Sequence, residues 1–468
     1  MFTRRRFLGY TALTPAMLAY RPLLGSAMGQ ISRDSSHPPV RLAVIGNTYQ
    51  YGSSLQTIAD RFLVGYPHNG DWHVPNVKIV SLYLEPKSAS ICDSVSRHGS
   101  AAPTDCAKFA TSGPAFGETR VASAVPESDV MSQGRAKEFG FRLCSNIPEA
   151  LRCGGDKLAV DAVLAIVEQG DYPHNDRAQI LYPRFDFFQQ CAQVFEEEGC
   201  AVPYFNHGSL SFSFQQSKSM VATSERLKFP LLAGSSLPVT WRIPDIEMPI
   251  EAPIEEAVMV AEGRMDGLDF DALEAMQCMM ERRKGGETGV KAVQLLEGDD
   301  VWAAGESGRW SKALLSAAQS RSDAPQGLTV VDGRPQNMVA AGVLPQLVKN
   351  PAAYCIEYND GTRATLLMLD GADADFTFAA RVAGHGVIST QFFRPPTPNL
   401  ASSASLAAKI EEMYMTKRAP YPAHRTMLTS GMLEACLNSR FHLNQRMETP
   451  HLAAVHYKAP ADSQYART

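Results

Sequence analysis

The chain carries no C-x-x-C pair, no basic block that could form a nucleic-acid footprint and, past its first thirty residues, no apolar run long enough to cross a bilayer. Each absence excludes something. Nine cysteines without paired spacing give no support to a structural zinc site or any other metal centre, and their odd number leaves at least one thiol unpaired in any disulfide scheme. With no basic footprint and a net charge of −5, a nucleic-acid partner is not expected. The Walker phosphate-loop pattern is missing, and Gly208-Ser209-Leu210 lacks the elbow that presents a hydrolase serine. What remains is a chain of 468 residues, long enough for two domains, whose partner is expected to be a small molecule.

The N-terminus reads as an address. Thr3-Arg4-Arg5-Arg6-Phe7-Leu8, followed by an apolar stretch to Leu24 that Pro15 interrupts, has the pattern of a twin-arginine export signal over residues 1–30. That route carries proteins already folded, often with a cofactor inside, to the periplasm or another extracytoplasmic space. After export, Cys92 and Cys106, in a polar segment, are the pair best placed to oxidise. Cys278, Cys355 and Cys436 sit among apolar neighbours and read as core.

The mature chain opens with an apolar run from Val40 that stops at Gly46, and apolar residues then return at helical spacing: Leu55, Ile58, Ala59, Phe62 and Leu63. Strand, tight turn and helix make the start of a nucleotide-binding α/β unit, because the helix N-terminus turns unpaired N–H groups toward an anion. Thr48 and Tyr51 stand where the fingerprint G-x-G-x-x-G would place its second and third glycines. Val77 to Leu84 reads as a second strand after a Gly/Pro/His/Asn-rich loop, Gly65 to Asn76. It ends at Glu85, where such a unit bonds the adenosine ribose, although a solvated strand end is an equal reading. Residues 93–133 lack any sustained period and read as a surface insertion.

Asp161 to Val167 is almost wholly apolar, as a strand buried on both faces of a parallel sheet should be. The polar turn Glu168-Gln169-Gly170-Asp171-Tyr172-Pro173-His174 follows at its carboxyl end, where open α/β sheets bind ligands. Strand Val202 to Phe205, the turn Asn206-His207-Gly208-Ser209 and strand Pro230 to Gly234 complete a doubly wound parallel sheet over residues 38–235. Residues 236–460 read as an α+β domain with an open antiparallel sheet: β-rich stretches at Ile254 to Ala261, Tyr354 to Leu369 and Phe376 to Val387, a helix Asp269 to Arg283, and two closing helices. Asn359-Asp360-Gly361 is a hairpin signal. Arg282-Arg283-Lys284-Gly285-Gly286 is an anion contact or, more commonly, a charged helix end.

Taken together, the VRLAVIG opening, the Glu149-Ala150-Leu151 helix leading into VDAVLAIV, the segment AVPYFNHGSLSFSFQQSKSM before PLLAGSS, and IEEMYMTKRAPYPAHR near the end resemble the Gfo/Idh/MocA family. The likeness covers nearly all the mature chain, and no single motif in it is strict. The resemblance implies an oxidoreductase that uses NAD or NADP on a sugar, polyol or related hydroxy or keto compound, and a homo-oligomer. It also implies cofactor contacts at Gly46, Asn47, Thr48, Tyr51, Glu85, Glu168, Gly170, Asp171 and Asn206, with His174 and Arg242 toward the substrate. Where the family has a Glu-Lys-Pro turn this chain has Asn206-His207-Gly208, so His207 stands nearest the lysine's place. Where the family has a helical histidine followed by an acid, this chain has Asp271-Ala272-Leu273-Glu274. His207, Asp271 and Glu274 are therefore the candidate catalytic groups, since imidazole and a carboxylate of raised pKa can both move protons. Asp271 as a helix cap and His207 as a satisfied turn residue are the structural alternatives. A ligand-binding or scaffolding protein that kept the fold without the chemistry is the alternative function.

Replacing Arg4 and Arg5 together by Lys should leave full-length precursor in the cytoplasm, because the route reads paired guanidinium groups rather than charge. Fractionation followed by immunoblotting reads the outcome; undiminished export contradicts the signal.

Overall fold

The computed structural model describes residues 38–86, 128–168, 170–263, 267–323, 337–395 and 400–467. The export signal, the Cys92 and Cys106 pair and most of the 93–133 insertion lie outside these residues.

The first half runs β1 (Val40–Gly46), α1 (Ser54–Val64), β2 (Tyr66–His68), β3 (Asp71–His73), β4 (Val77–Leu84), α2 (Ser128–Phe139), β5 (Arg142–Cys144) and α3 (Ile147–Arg152). It continues with β6 (Ala162–Ile166), α4 (Arg184–Glu198), β7 (Tyr204–His207), α5 (Phe214–Leu227) and β8 (Leu231–Gly234). Six of these strands form one parallel sheet in the order β5-β4-β1-β6-β7-β8. Renumbered among themselves they read 3-2-1-4-5-6, the dinucleotide-fold order, with its switch point between β1 and β6. Asn206 and His207, expected in a turn, are the last two residues of β7.

Alternation along β1 divides the core. Leu42 and Val44 pack with Leu55, Ile58 and Phe62 of α1 on one face, while Ala43 and Ile45 join Phe188 and Phe195 of α4 on the other. Gly46 closes β1 because no side chain fits there: a Cβ would lie 2.7 Å from both the Ile166 carbonyl oxygen and Leu55.

The second half runs β9 (Arg242–Ile243), β10 (Ile254–Ala261), α6 (Leu268–Met280), β11 (Val290–Glu297), α7 (Asp299–Glu306), α8 (Lys312–Gln319), α9 (Leu344–Leu347), β12 (Ala352–Tyr358) and β13 (Arg363–Met368). It ends with β14 (Phe376–Val382), β15 (Gly386–Phe392), α10 (Leu400–Thr416), α11 (His424–Phe441), β16 (Met447–Glu448) and α12 (Pro450–Ala453). Its eight strands make a second sheet, β16-β11-β12-β13-β10-β14-β15-β9, antiparallel except for the β10 and β13 pair. The hairpin at Asn359-Asp360-Gly361 joins β12 to β13.

Both faces of this sheet are covered. Ala257 and Met259 of β10 face α6 and α11, while Val258 and Val260 face Val301 of α7 and Leu314 and Leu315 of α8. The helix α10 returns to the first sheet, where Ile410 and Met413 pack beside α1 and the Tyr414 hydroxyl donates to the Val163 carbonyl at 2.9 Å. The same helix supplies Glu411, which accepts from Tyr66 at 2.6 Å and lies 2.8 Å from His73 Nε2. That carboxylate turns the Gly65 to Asn76 stretch, read from sequence as a loop, into the β2–β3 hairpin.

The Arg282-Arg283 turn does contact an anion, but an internal one. Arg283 makes two bonds of 2.9 Å to Glu287, and a further 2.7 Å bond to Asp360. Beside it Arg425 of α11 clamps Glu281 at 2.9 and 2.5 Å, both side chains almost fully buried. Removing one partner of such a pair leaves an uncompensated charge, at a cost of about 3–5 kcal/mol. Chemical denaturation of Arg425→Met should show that loss, and Glu281→Leu added to it should recover most of the stability. A double variant no more stable than the single one contradicts the pairing.

Candidate active site

The site forms where α1, the carboxyl ends of β6, β7 and β8, and the start of α6 meet. They enclose a cavity of about 430 Å³. Helix α1 begins eight residues after Gly46 (54 − 46), later than a G-x-G-x-x-G turn allows. Ser53 is its N-cap, accepting from the Gln56 N–H at 3.2 Å, and Gln56 reaches back to the Gly52 N–H at 3.1 Å. This reciprocal pattern is a capping box. Gly52 and Ser54 consequently line the cavity, while Thr48 and Tyr51, the latter 59% exposed, do not.

Glu168 follows β6 and is the hub of the cavity floor. It accepts from Ser54 Oγ at 2.5 Å and from His207 Nδ1 at 2.5 Å, and Arg184 Nη2 lies 4.0 Å away. Burial disfavours its charge, but His207, Arg184 and Ser54 together outweigh burial and hold its pKa down at about 2. His207 is raised for the same reason: burial opposes the imidazolium, and the Glu168 carboxylate overrides it. With Nδ1 engaged by Glu168, Nε2 is left for a ligand.

Asp271 enters from the other sheet, on the first turn of α6. Burial pushes its carboxyl up to about 7, with the Glu168 charge adding to the rise and His207 opposing it. It is not the helix cap: Asp269 accepts from the Gly267 and Phe270 N–H groups instead. An imidazolium fixed by one carboxylate and a second carboxyl poised near neutrality can accept and return a proton within one enclosed space.

Of the residues expected at the site, the structure brings Glu168, His207 and Asp271 to this cavity and places others elsewhere. Glu274 sits one turn beyond Asp271 and outside the cavity wall, accepting from the Ser235 N–H at 2.6 Å and the Thr426 hydroxyl at 2.7 Å. Burial raises its pKa against those bonds. Its place is structural, and it explains Gly234, where a Cβ would lie 2.3 Å from a Glu274 oxygen. Arg242 is buried between the Phe392 and Tyr465 rings and bonds the Pro238 carbonyl at 3.3 Å, away from the cavity. Asp171 and His174 are exposed on the loop after β6. Asn206 turns inward to the Ser209 carbonyl at 2.9 Å, shaping the chain after β7. Arg184, Ser54 and Arg394 line the cavity without having been singled out. The S-x-x-Q pattern at Ser53 to Gln56 could have located Ser54; nothing local marks the two arginines.

A nicotinamide dinucleotide would lie across the ends of β4, β1 and β6. Gly46, the α1 N-terminus with its open Gly52, and Glu85 at the tip of β4 suit its backbone, phosphates and adenosine ribose. Two side chains already use those positions. Tyr172 donates to Glu85 and accepts from Asn47 Nδ2 at 3.0 Å, with Gly170 leaving room for its ring, and Glu168 holds a negative charge beside α1. The residues fit the group once the Tyr172 hydroxyl has moved off Glu85.

The Glu168–His207 pair should leave a signature in stability. Glu168, depressed from 4.5, contributes stability above that value and loses it as pH falls toward 2. His207, raised from 6.5, contributes below that value and loses it as pH rises through its folded pKa. The melting-temperature gap between the native chain and Glu168→Gln should therefore be widest between pH 5 and pH 6.5, as markers of that window, and narrow on both sides. A gap flat in pH contradicts the ion pair.

No protein-family model matches the sequence, and no curated protein matches it. Among solved structures the chain is similar to GenD2 from gentamicin A biosynthesis in complex with NAD, at 11% identity, covering 90% of this chain and 99% of that one with a TM-score of 0.48. It is also similar to the myo-inositol dehydrogenase of Lactobacillus casei in complex with NAD(H) and myo-inositol, at 9% identity, covering 88% and 97% with a TM-score of 0.46. At that identity and overlap the likeness fixes neither the activity nor the ligand of this chain.

Proposed function

We propose that the chain is a nicotinamide-dependent oxidoreductase acting on a hydroxyl or carbonyl of a sugar- or polyol-like molecule held in this cavity. The observation that carries the reading is that His207, from the end of β7, and Asp271, from the first turn of α6, line one cavity. Hydroxyl side chains including Ser54, Thr57, Ser209 and Ser236 line the same wall and suit a polyhydroxylated ligand. When bound, the nicotinamide ring supplies the hydride acceptor or donor.

The chain's own groups supply the rest. Ionised Asp271 takes the proton of the substrate hydroxyl on a carboxylate oxygen. His207, kept cationic by Glu168, donates from Nε2 to the same substrate oxygen and stabilises negative charge as it develops there. In the reverse direction the Asp271 proton returns to the carbonyl oxygen. Glu85 favours NAD over NADP, because its carboxylate accepts from a ribose hydroxyl and repels a ribose phosphate. The twin-arginine pattern supports a site of action outside the cytoplasm.

A second reading, a ligand-binding protein without redox chemistry, is favoured by Tyr172 on Glu85 and by the Glu168 charge beside α1. Titration calorimetry with NAD(H) separates the two. The oxidoreductase reading expects binding, tightened several-fold in Tyr172→Phe. It also expects His207→Ala to lower turnover by ~10²–10⁴ while NAD(H) binding persists. Turnover should rise with pH to a midpoint near the Asp271 value of about 7, a limb absent from Asp271→Asn. No NAD(H) binding in either the native chain or Tyr172→Phe overturns this reading in favour of the second.

A further inference from the structure

Among the described residues five acidic or basic side chains line the cavity: Glu168, Arg184, His207, Asp271 and Arg394. Three are committed to one another or to the backbone. Glu168 is held by His207 and Ser54. Arg184 spends its guanidinium on the Val167 carbonyl at 3.1 Å, on the Ser209 carbonyl at 3.3 Å and on the Ser209 hydroxyl, and stacks on Tyr182 with 4.5 Å to the ring centroid. Asp271, Arg394 and the Nε2 edge of His207 remain for a ligand.

Arg394 follows β15 and is fixed on one side only. Its Nη1 donates to Glu262 at 3.0 Å, and its guanidinium carbon lies 5.7 Å from the centroid of the Phe376 ring. Nε and Nη2 are left with no hydrogen bond among the described residues, and about a third of the side chain is exposed. Glu262 is a weak counter-ion. Burial raises its pKa, and the nearby Asp370 and Asp375 charges raise it further against the pull of Arg394. The guanidinium field reaches Asp271, where it opposes the rise in pKa. A planar fork with its Nε–Nη2 edge unbonded, lining the same cavity as a proton acceptor, has the geometry that pairs with a carboxylate.

Resting on the oxidoreductase reading of this cavity, we propose that the substrate is a polyhydroxylated carboxylate, a sugar acid rather than a neutral sugar or polyol, and that Arg394 receives its carboxylate while Asp271 and His207 address a hydroxyl of the same molecule. The serine-rich wall takes the remaining hydroxyls. Arg394 thereby sets specificity and moves no proton. A neutral polyol fills the same space and leaves the guanidinium without an anion, so it binds more weakly.

The test uses the full chain and titration calorimetry with a panel of aldonates and uronates, each set against its matching neutral polyol. At least one acid should bind ten-fold or more tighter than its neutral partner, with the preference weakening as salt rises. Arg394→Gln should erase that preference, lowering acid affinity about ten-fold more than neutral-polyol affinity, and Arg394→Lys should keep part of it. Equal affinity for acid and polyol, no binding of any acid, or an acid preference that survives Arg394→Gln overturns the proposal. NAD(H) binding, measured separately in the same protein, reports on the oxidoreductase reading by itself, so the two can fail independently.

Discussion

The site depends on one buried carboxylate that is not part of it. Glu274 joins the end of β8 to α11 by accepting from the Ser235 N–H and the Thr426 hydroxyl, and it rides on the helix that carries Asp271. Residues 271, 274, 277 and 281 recur at helical spacing along α6. Gln277 bonds Glu287 and Tyr358, and Glu281 bonds Arg425 and Tyr457. Glu274, Gln277 and Glu281, each with a partner outside α6, fix the rotation and height of that helix more tightly than apolar packing would. Asp271 is thereby held in the same cavity as His207. The same bonds make the joint costly to break, since each lost partner strands a buried polar group.

Charge inside the cavity follows from which groups are already satisfied. Glu168 has a cation and a hydroxyl, so it stays ionised and passes its charge to His207. Asp271 gets the field of those neighbours without a hydrogen bond of its own to the pair, so burial dominates and its pKa climbs. Two carboxylates a short distance apart thus separate into a permanent anion and a titrating acid, the division of labour that acid–base chemistry near neutral pH requires.

The sheet order was legible because its strands carry strong periodic signals. VRLAVIG and VDAVLAIV are buried on both faces, and each ends in a polar turn that points at the site. Glu168, His207 and Asp271 could be read because each lies at the end of a strand or the start of a helix, where backbone geometry alone sends a side chain toward the crevice. Arg394 and Arg184 could not, since their roles come from neighbours far away in sequence. Arg242, read toward the substrate, and Glu274, read as catalytic, lie in the interior, where ring stacking on Arg242 and hydrogen bonds to Glu274 take the groups a substrate would have used. The helices α7 and α8 escaped because they are single eight-residue elements whose apolar faces have meaning only against the second sheet. In the β1–α1 loop the fingerprint glycines were sought at Thr48 and Tyr51, whereas the chain delays its helix and uses Gly52 and Ser53 instead.

A carboxyl-carbon NMR titration of Asp271 in the intact chain tests the proton-carrying pair most directly, because it observes the group and not its consequences. A midpoint near 7, moving in Glu168→Gln, is the expected result. A midpoint close to the ordinary value of 3.8 means that Asp271 is open to solvent and does not share an enclosed site with His207.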